Sequence, residues 1–348
     1  MKKTMILILC LMLCVIFLAG CSAADSVAGE LAKQKAYSEA MKLLDAGDAQ
    51  QAYDLLRSIS DYRDVSEYLD RFVFRYDHVT IKESGDTIEI LYEYDSYGRL
   101  VRSEYSKESE YFPLYTEMTE YEYSDENEIV KCTQKRSNEE TERVTLYDYD
   151  EQGNLIKLTN PVGSSTEFSY DAQGNVIEEK QFSVSGEIIM RFEYAYNEHG
   201  DVVSCTQTDH MYGDSAKTFT YAYEYDSNGN KIKMQADGVL DEWEYDELGR
   251  EIMYARHAQS GMNGVNDFFI RTTKYDRYGN YAERTVQKPS GTSTTVYERG
   301  YDHYGVALWE KISADGEVRK QSTYHHYQVY YNPYGEPAFP DEYLGIEG

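Results

Sequence analysis

One five-residue motif, Tyr-Asp-x-x-Gly, recurs along most of this chain and limits its fold more than any other feature. Nine copies keep the final glycine, with Asn in place of Asp in two: Tyr94–Gly98, Tyr149–Gly153, Tyr170–Gly174, Tyr196–Gly200, Tyr225–Gly229, Tyr245–Gly249, Tyr275–Gly279, Tyr301–Gly305 and Tyr331–Gly335. A tenth copy, Tyr123–Asn127, ends in Asn, which tolerates a positive φ better than most residues. Copies lie roughly 20 to 30 residues apart, which is the signature of a repeat protein.

Each copy has the chemistry of a tight hairpin turn. Asp at the first turn position can accept a hydrogen bond from a backbone N–H two residues further on, and the next two residues fit a type I turn. Glycine then takes the left-handed position of a three-residue hairpin with a G1 bulge. We therefore assign a turn-forming role and a positive φ to the glycines of the motif: Gly98, Gly153, Gly174, Gly200, Gly229, Gly249, Gly279, Gly305 and Gly335.

Alternating side chains flank each turn. Tyr alternates with polar residues before the turn, and apolar residues recur at the third and often the fifth position after glycine, as in Ile156 and Leu158. This period of two predicts one strand entering and one strand leaving each turn. The sequence thus predicts a mainly β protein, a meandering antiparallel ribbon of YD-repeat hairpins with a small N-terminal α-helical unit. The motif does not decide whether the ribbon is open, curled or closed, and we take an open ribbon curled by its own twist.

These copies resemble the YD repeats of the RHS family and cover about three quarters of the chain. The resemblance implies a β-ribbon scaffold, an exported setting and a loose association with surfaces and carbohydrate. In large RHS proteins the repeats enclose a toxin. This sequence has far fewer repeats, and only thirteen residues follow Gly335, so we do not expect the toxin-enclosing role to carry over.

The first residues have the pattern of an export signal. Two lysines precede an uncharged apolar run, Met5–Leu18, which is shorter than the ~20 residues of a transmembrane helix. The run ends in Leu18-Ala19-Gly20-Cys21, which resembles a bacterial lipobox and implies a lipid on Cys21. The alternative is an ordinary signal peptide followed by a chance cysteine. We predict a signal peptide over 1–20, a flexible tether over 21–29, and anchorage at the extracytoplasmic face of the cell membrane.

Charge and cysteine content restrict the partners. The chain has 62 acidic and 34 basic residues and a net charge of −28, a balance that repels nucleic acid, so we expect no nucleic-acid partner. Cys132 and Cys205 occupy the same register in the second and fifth motifs. In a ribbon they would lie roughly 29 Å apart, too far for a disulfide. We expect both to be buried thiols.

A helical unit precedes the repeats. Apolar residues at three- and four-residue spacing predict helices between 30 and 73, with Gly47 ending the first helix and Asp48 capping the second. Asp61 and Asp64 are expected to open a third, shorter helix that includes Phe72. The pattern resembles a degenerate tetratricopeptide-like repeat. One such repeat cannot bury its apolar face alone, so we expect it to cap the repeat domain; partner binding is the alternative. The β domain is placed at 74–338 and a tail at 339–348.

No motif of the sequence indicates catalysis. Nucleophile elbows, phosphate loops and dinucleotide fingerprints are missing from it, so we expect no catalytic residue, no metal and no cofactor. His325 and His326 are adjacent, but neighbours in a strand point to opposite faces. The Asp226–Asn230 loop resembles part of a cation loop, yet turn formation explains it and it offers too few oxygens for calcium.

Aromatic residues suggest the remaining candidate site. Trp243 and Trp309 are the best platforms on which a sugar ring could stack. The alternative is that the aromatic rings fill a half-buried sheet, with the Tyr hydroxyls reaching water at its rim.

Two classes of function follow. The first is a non-catalytic adhesion or binding module, displayed by its lipid, whose ligand is a cell-wall or surface glycan or another protein. The alternative is a structural envelope protein or assembly subunit. A third candidate is a part of a polymorphic-toxin-like system without its own toxin domain.

Overall fold

The computed structural model describes residues 29–236, 238–259 and 266–333. The predicted signal peptide, the tether up to residue 28, Cys21, Gly335 and the tail lie outside the described residues. None of the helices in the described ranges has the length and apolarity that crossing a bilayer requires. The chain divides into two compact units. In the described ranges, the smaller unit comprises residues 29–75, 95–99 and 327–333, and the larger comprises 76–94 and 100–326.

A single antiparallel sheet dominates the described part of the chain, where it has 21 strands. The strands β1 to β21 are Phe72–Glu83, Asp86–Tyr94, Leu100–Glu108, Tyr115–Tyr123, Ile129–Arg136, Arg143–Tyr149, Leu155–Thr159, Ser165–Tyr170, Val176–Phe182, Ile188–Tyr196, Val202–Asp209, Ser215–Thr220, Ala222–Tyr225, Lys231–Ala236, Val239–Tyr245, Glu251–Gln259, Asn266–Tyr275, Tyr281–Lys288, Gly291–Tyr301, Ala307–Ala314 and Glu317–Tyr331. Strands that follow one another in the chain pair as a meander. β12 and β13 are separated only by Tyr221, whose N–H still donates to the Val203 carbonyl of β11. The mainly β prediction is confirmed.

The first and last strands of the sheet pair with each other, so the prediction of an open ribbon is wrong. β1 pairs with β21 as well as with β2. The physical reason is a bulge that recurs in the motif hairpins. The pairing register shifts just before the motif tyrosine in nine hairpins. A bulge bends its strand and increases its twist, so nine bulges at one register bend the whole meander progressively.

The bulge also corrects the predicted burial pattern. Leu155, the second residue after Gly153, pairs with the motif tyrosine, whereas Lys157 pairs with the residue before that tyrosine. Ile156 is therefore the extra residue of the bulge. Leu155 is 1% exposed and Ile156 is 38% exposed. The buried apolar position is the second after glycine rather than the third.

Three helices precede the sheet in the described residues: α1 (29–45), α2 (Ala49–Ser58) and α3 (Val65–Leu69). Gly47 has the expected positive φ, +81°. The Asp48 carboxylate accepts from the Gln51 N–H at 3.2 Å and caps α2, as predicted. The third helix is shorter than predicted, because Phe72 begins β1; its ring packs against Tyr331 with centroids 5.2 Å apart.

The apolar core of the smaller unit is built around these helices. Val329 and Tyr331, at the end of β21, pack against it. Its buried members are Ala40, Ala52, Leu56, Ile59, Tyr62, Val65 and Phe72. The helices thus bury their apolar side chains against strand ends that belong to the same unit.

Candidate functional site

The sheet has two chemically different faces. We call the face that carries the motif tyrosines the tyrosine face, and the other the opposite face. Cross-strand pairing places Cys132 beside Tyr121 and Cys205 beside Tyr194, each two residues before a motif tyrosine. Both cysteines therefore occupy the predicted register on the tyrosine face. No disulfide joins them; Cys132 is buried, whereas Cys205 is only partly buried and differs in this from the prediction.

The motif tyrosines connect neighbouring hairpins, a role that the sequence did not reveal. The Tyr149 hydroxyl donates to the Ile129 carbonyl at 2.9 Å, and Ile129 is the second residue after the preceding turn's Asn127. Equivalent bonds of 2.6 to 3.0 Å run from Tyr94, Tyr123, Tyr170, Tyr196, Tyr245 and Tyr275 to the preceding hairpin. These hydroxyls bind backbone rather than reaching water at a rim, which explains why the motif uses Tyr and not Phe.

The motif aspartates are used inside their own turns. Asp226 Oδ1 accepts from the N–H groups of Asn228 and Asn230 at 2.9 and 2.8 Å, and Oδ2 accepts from the Asn230 amide at 2.8 Å. This amide bond, with the backbone bonds, holds the pKa of the Asp226 carboxyl below its usual 3.8. The side chains after glycine lower the pKa of Asp150, Asp171 and Asp246 in the same way. The Asp226 oxygens that suggested a cation loop thus accept hydrogen bonds from residues of the same loop.

The turn glycines have the backbone conformation expected of them. In the eight described copies φ lies between +76° and +88°, and Asn127 in the tenth copy has +75°. At Gly174 and Gly229 an added Cβ would meet nothing within 4 Å, so the left-handed backbone alone calls for glycine there. Among the described residues, no group of three or more His, Cys, Asp or Glu side chains is arranged to hold a metal.

The two tryptophans lie on different faces of the sheet. Trp243 lies on the tyrosine face, paired with Tyr254 at a ring distance of 5.6 Å. Trp309 lies on the opposite face, where its indole covers Gly300 so closely that a Cβ at this position would clash with the indole Nε1. The structure does not bring them together as one stacking platform.

A groove of about 620 Å³ lies at the start of the sheet and is lined mainly by residues of the opposite face. One row of cross-strand neighbours crosses five strands, from β1 to β5, along its length. The row is His78, Leu91, Glu104, Met118 and Lys135. A second row, which includes Glu89, Ser106 and Thr116, runs beside it. Leu91 is 47% exposed, so the floor is apolar and the rim is charged.

Hydrogen bonds fix the charged end of this groove. The His78 ring contacts the Glu89 carboxylate, which also accepts from Thr80 Oγ1 at 2.8 Å. Burial raises the pKa of Glu89, but the bonds from Thr80 and His78 outweigh it and lower the pKa overall. His325 lies 2.8 Å from Thr80 Oγ1 and stacks on His78 with centroids 4.4 Å apart. No sequence signal pairs these two histidines, since only closure of the sheet places β21 beside β1.

The groove has the composition of a binding surface. The apolar side chains of Leu91 and Met118 lie among the carboxylates of Glu89 and Glu104, the imidazole of His78 and the ammonium group of Lys135. Such a surface can hold a ligand that combines an apolar face with hydrogen-bonding groups.

Comparison with known proteins shows the family to which this chain belongs. The tRNA nuclease WapA of Bacillus subtilis is 30% identical over 169 residues, which cover 42% of this chain and 7% of that protein. The tRNA3(Ser)-specific nuclease WapA of Bacillus spizizenii is 29% identical over 170 residues, with the same coverage. The Photorhabdus luminescens Tc holotoxin pore aligns over 66% of this chain and 17% of its own, at 15% identity and a TM-score of 0.29. The Teneurin YD-shell family matches residues 71–269, more than half of the chain, and the protein therefore belongs to that family.

Proposed function

We propose that this protein is a non-catalytic YD-shell binding module that a lipid on Cys21 displays outside the cell membrane. Its ligand is a carbohydrate or cell-wall component, bound in the groove on the opposite face. One observation carries this proposal. The motif tyrosines and aspartates form hydrogen bonds within the scaffold, and the motif glycines form its turns. The groove, in contrast, is built from residues between the motifs.

The nuclease activity in the names of the WapA proteins is not part of this proposal. This chain spans 7% of the length of those proteins. A net charge of −28 also opposes the approach of a tRNA. We therefore propose a scaffold function for the matched region rather than a catalytic one.

The helical unit is proposed to act as a tetratricopeptide-like cap. Its buried side chains, such as Leu56 and Val65, face strand ends in its own unit. This arrangement satisfies the apolar surface that a single repeat leaves exposed.

The groove is tested with one charge substitution and its matched control. The mature chain, from Cys21 with that residue as Ser, is applied to a glycan array and to purified cell wall. Leu91→Asp should lose at least about tenfold in binding, because a carboxylate replaces the apolar floor. Leu146→Asp is the control, since Leu146 is 44% exposed and likewise stands three residues before a motif tyrosine. Equal binding by both variants would locate the ligand elsewhere.

The anchor is tested separately. Cys21→Ser in the full-length chain should move the protein from the membrane fraction to the medium or periplasm. Unchanged membrane association would rule out lipid anchorage through Cys21.

A structural envelope role is the second candidate, and membership in the YD-shell family favours it. In one form of this role, the protein is a shell component of a toxin-like system whose toxin is a separate chain. Oligomers that form with rising concentration in the absence of glycan would support this role over the binding module.

A further inference from the structure

One strand of the sheet, β12, extends past the end of the hairpin that lies beside it. On one side it pairs with β11 through six consecutive residue pairs without a bulge. On the other side the neighbouring hairpin is short. Ala222 of β13 pairs with Gln235, and β14 ends at the next residue, where the chain turns back into β15. The β14–β15 hairpin therefore ends beside Thr220, and residues 215–219 of β12 project past it.

The projecting part of β12 presents backbone groups to its open side. In an antiparallel ladder, alternate residues direct their N–H and C=O groups to one neighbouring strand and then to the other. The Tyr221 N–H donates to the Val203 carbonyl, so every second residue from Tyr221 back to Ser215 faces β11. Ala216 and Thr218 therefore face the other way. Within the described ranges, no strand or loop pairs with them on that side.

The burial of β12 is that of an edge strand inside a large sheet. Five of its six residues are exposed, whereas all eight residues of β11 are partly buried. Proteins usually protect an edge from pairing with prolines, bulges or several charges. β12 contains no proline, its register with β11 is regular, and its single charged residue is Lys217. This edge is therefore open to a further strand.

The side chains beside this edge favour a carboxylate in the added strand. The Lys217 ammonium lies 4.3 Å from the centre of the Phe219 ring, and no ion pair joins it to an acidic group of the described residues. The carboxylates of the loop before β12 are already bonded. Asp209 accepts from a backbone N–H of its loop at 2.8 Å, and Asp214 lies 2.6 Å from His210 Nδ1. A carboxylate directly across the ladder would complement Lys217.

We propose that β12 binds an extended segment of another protein, which pairs antiparallel with Ala216 and Thr218 and places one carboxylate opposite Lys217. A row of backbone donors and acceptors recognises another backbone. The rest of the segment is uncharged, since this chain carries −28. A second copy fits less well, because pairing Ala216 of one copy with Thr218 of the other places two Lys217 side chains opposite each other. This surface is separate from the groove, which lies on β1 to β5.

Saturation-transfer NMR on the mature chain tests the edge with the peptide acetyl-Tyr-Thr-Glu-Val-Thr-amide. In the proposed pairing its Glu lies opposite Lys217, and the residues on either side of the Glu lie opposite Thr218 and Ala216. N-methylation of those two residues should weaken binding at least about tenfold, because their N–H groups face β12. N-methylation of the Glu should leave binding within about twofold, because its N–H faces away.

Variants of the chain locate the binding. Thr218→Pro removes an N–H that faces away from β11 and should weaken peptide binding at least about tenfold, and edge strands tolerate proline. Thr218→Val is the matched control, because it keeps the N–H and, like the proline, loses the hydroxyl bond to Thr206 at 2.9 Å. If Thr218→Pro does not fold, Ala216→Pro decides the outcome. Lys217→Glu should weaken binding several-fold, because it places two carboxylates opposite each other.

Four results would overturn the proposal. Binding that survives Thr218→Pro, or that is equal for the two N-methylated peptides, would show that β12 does not pair with the segment. Unchanged binding by Lys217→Glu would remove the carboxylate from the proposal, and failure of the peptide at about 1 mM would remove the site. Dimers in analytical ultracentrifugation that Thr218→Pro separates would make a second copy the occupant. None of these results bears on groove binding, which is read from Leu91→Asp.

Discussion

The helical unit and the repeat sheet bury very different amounts of apolar surface. Over 33 positions, from Ala40 to Phe72, the helical unit contains seven apolar side chains that are at most 7% exposed. In the larger unit the described apolar side chains that are at most 9% exposed are Val79, Ile129, Cys132, Leu155, Phe168 and Ala255. The sheet instead repeats the same polar contacts in each hairpin. The difference shows that a long repeat sheet can distribute its stability over many small hydrogen-bonded contributions, whereas a short helical unit depends on one core.

The largest expected effect tests the core of the helical unit. Leu56 is fully buried, so Leu56→Ala should cost about 2–5 kcal/mol of unfolding free energy through lost burial and the cavity left behind. Leu146→Ala, at a 44% exposed position of the sheet, should cost less than about 0.5 kcal/mol. Urea unfolding measures both. Similar losses of unfolding free energy in the two variants would mean that the helical unit does not depend on its apolar core more than the sheet does.

The next effect concerns backbone conformation in the turns. Gly229 has a φ of +85° and open space around it, so Gly229→Val should cost more than about 1 kcal/mol from backbone strain alone. Gly229→Asn should cost clearly less, since Asn127 already occupies this conformation at +75°. The comparison with Gly98 sharpens the test. An added Cβ there would lie 2.7 Å from Tyr330 Cβ, so Gly98→Asn should cost more than Gly229→Asn.

A smaller effect tests the bonds between hairpins. Tyr245→Phe removes the hydroxyl that donates to the Lys231 carbonyl at 2.8 Å and should cost about 1 kcal/mol. Tyr92→Phe is the control, because Tyr92 stands on the tyrosine face outside the motif and its hydroxyl makes no such bond to another hairpin within the described part of the chain. Denaturant unfolding compares the two variants. Equal losses would show that the hydroxyl bond contributes nothing beyond the ring.

The smallest effect depends on pH. The pKa of Asp226 is lowered by folding, so its carboxylate stabilises the fold above its unfolded pKa near 3.8, and this contribution disappears as the pH falls through the lower folded pKa. The stability difference between the native chain and Asp226→Asn should therefore be constant at neutral pH and shrink below about pH 4. Asp148→Asn removes an equal charge outside a turn and controls for net charge. A difference that stays constant into acid would contradict this linkage.

Local chemistry made much of the fold predictable. A glycine with no Cβ and an Asp that accepts backbone N–H groups specify the turn within five residues, and a period of two specifies the strands beside it. The register of Cys132 and Cys205 followed from counting along those strands. The helix boundary at Gly47 and Asp48 was predictable for the same reason, because caps are local.

The candidate sites were less predictable, because they depend on neighbours that lie far away in the sequence. The bulge placed Leu155 in the interior where Ile156 was expected, and it separated Trp243 from Trp309 by face.

The sequence by itself determined that this protein is a chain of β-hairpins with a helical unit before it, because turns, caps and strand periodicity are set by residues close together in the chain. Only the tertiary structure decided that β21 meets β1, that His78 stacks on His325, and that the motif tyrosines from Tyr123 to Tyr301 bond to the preceding hairpin. These features depend on accumulated twist and on contacts between distant residues, and no local pattern encodes the sum of many small bends.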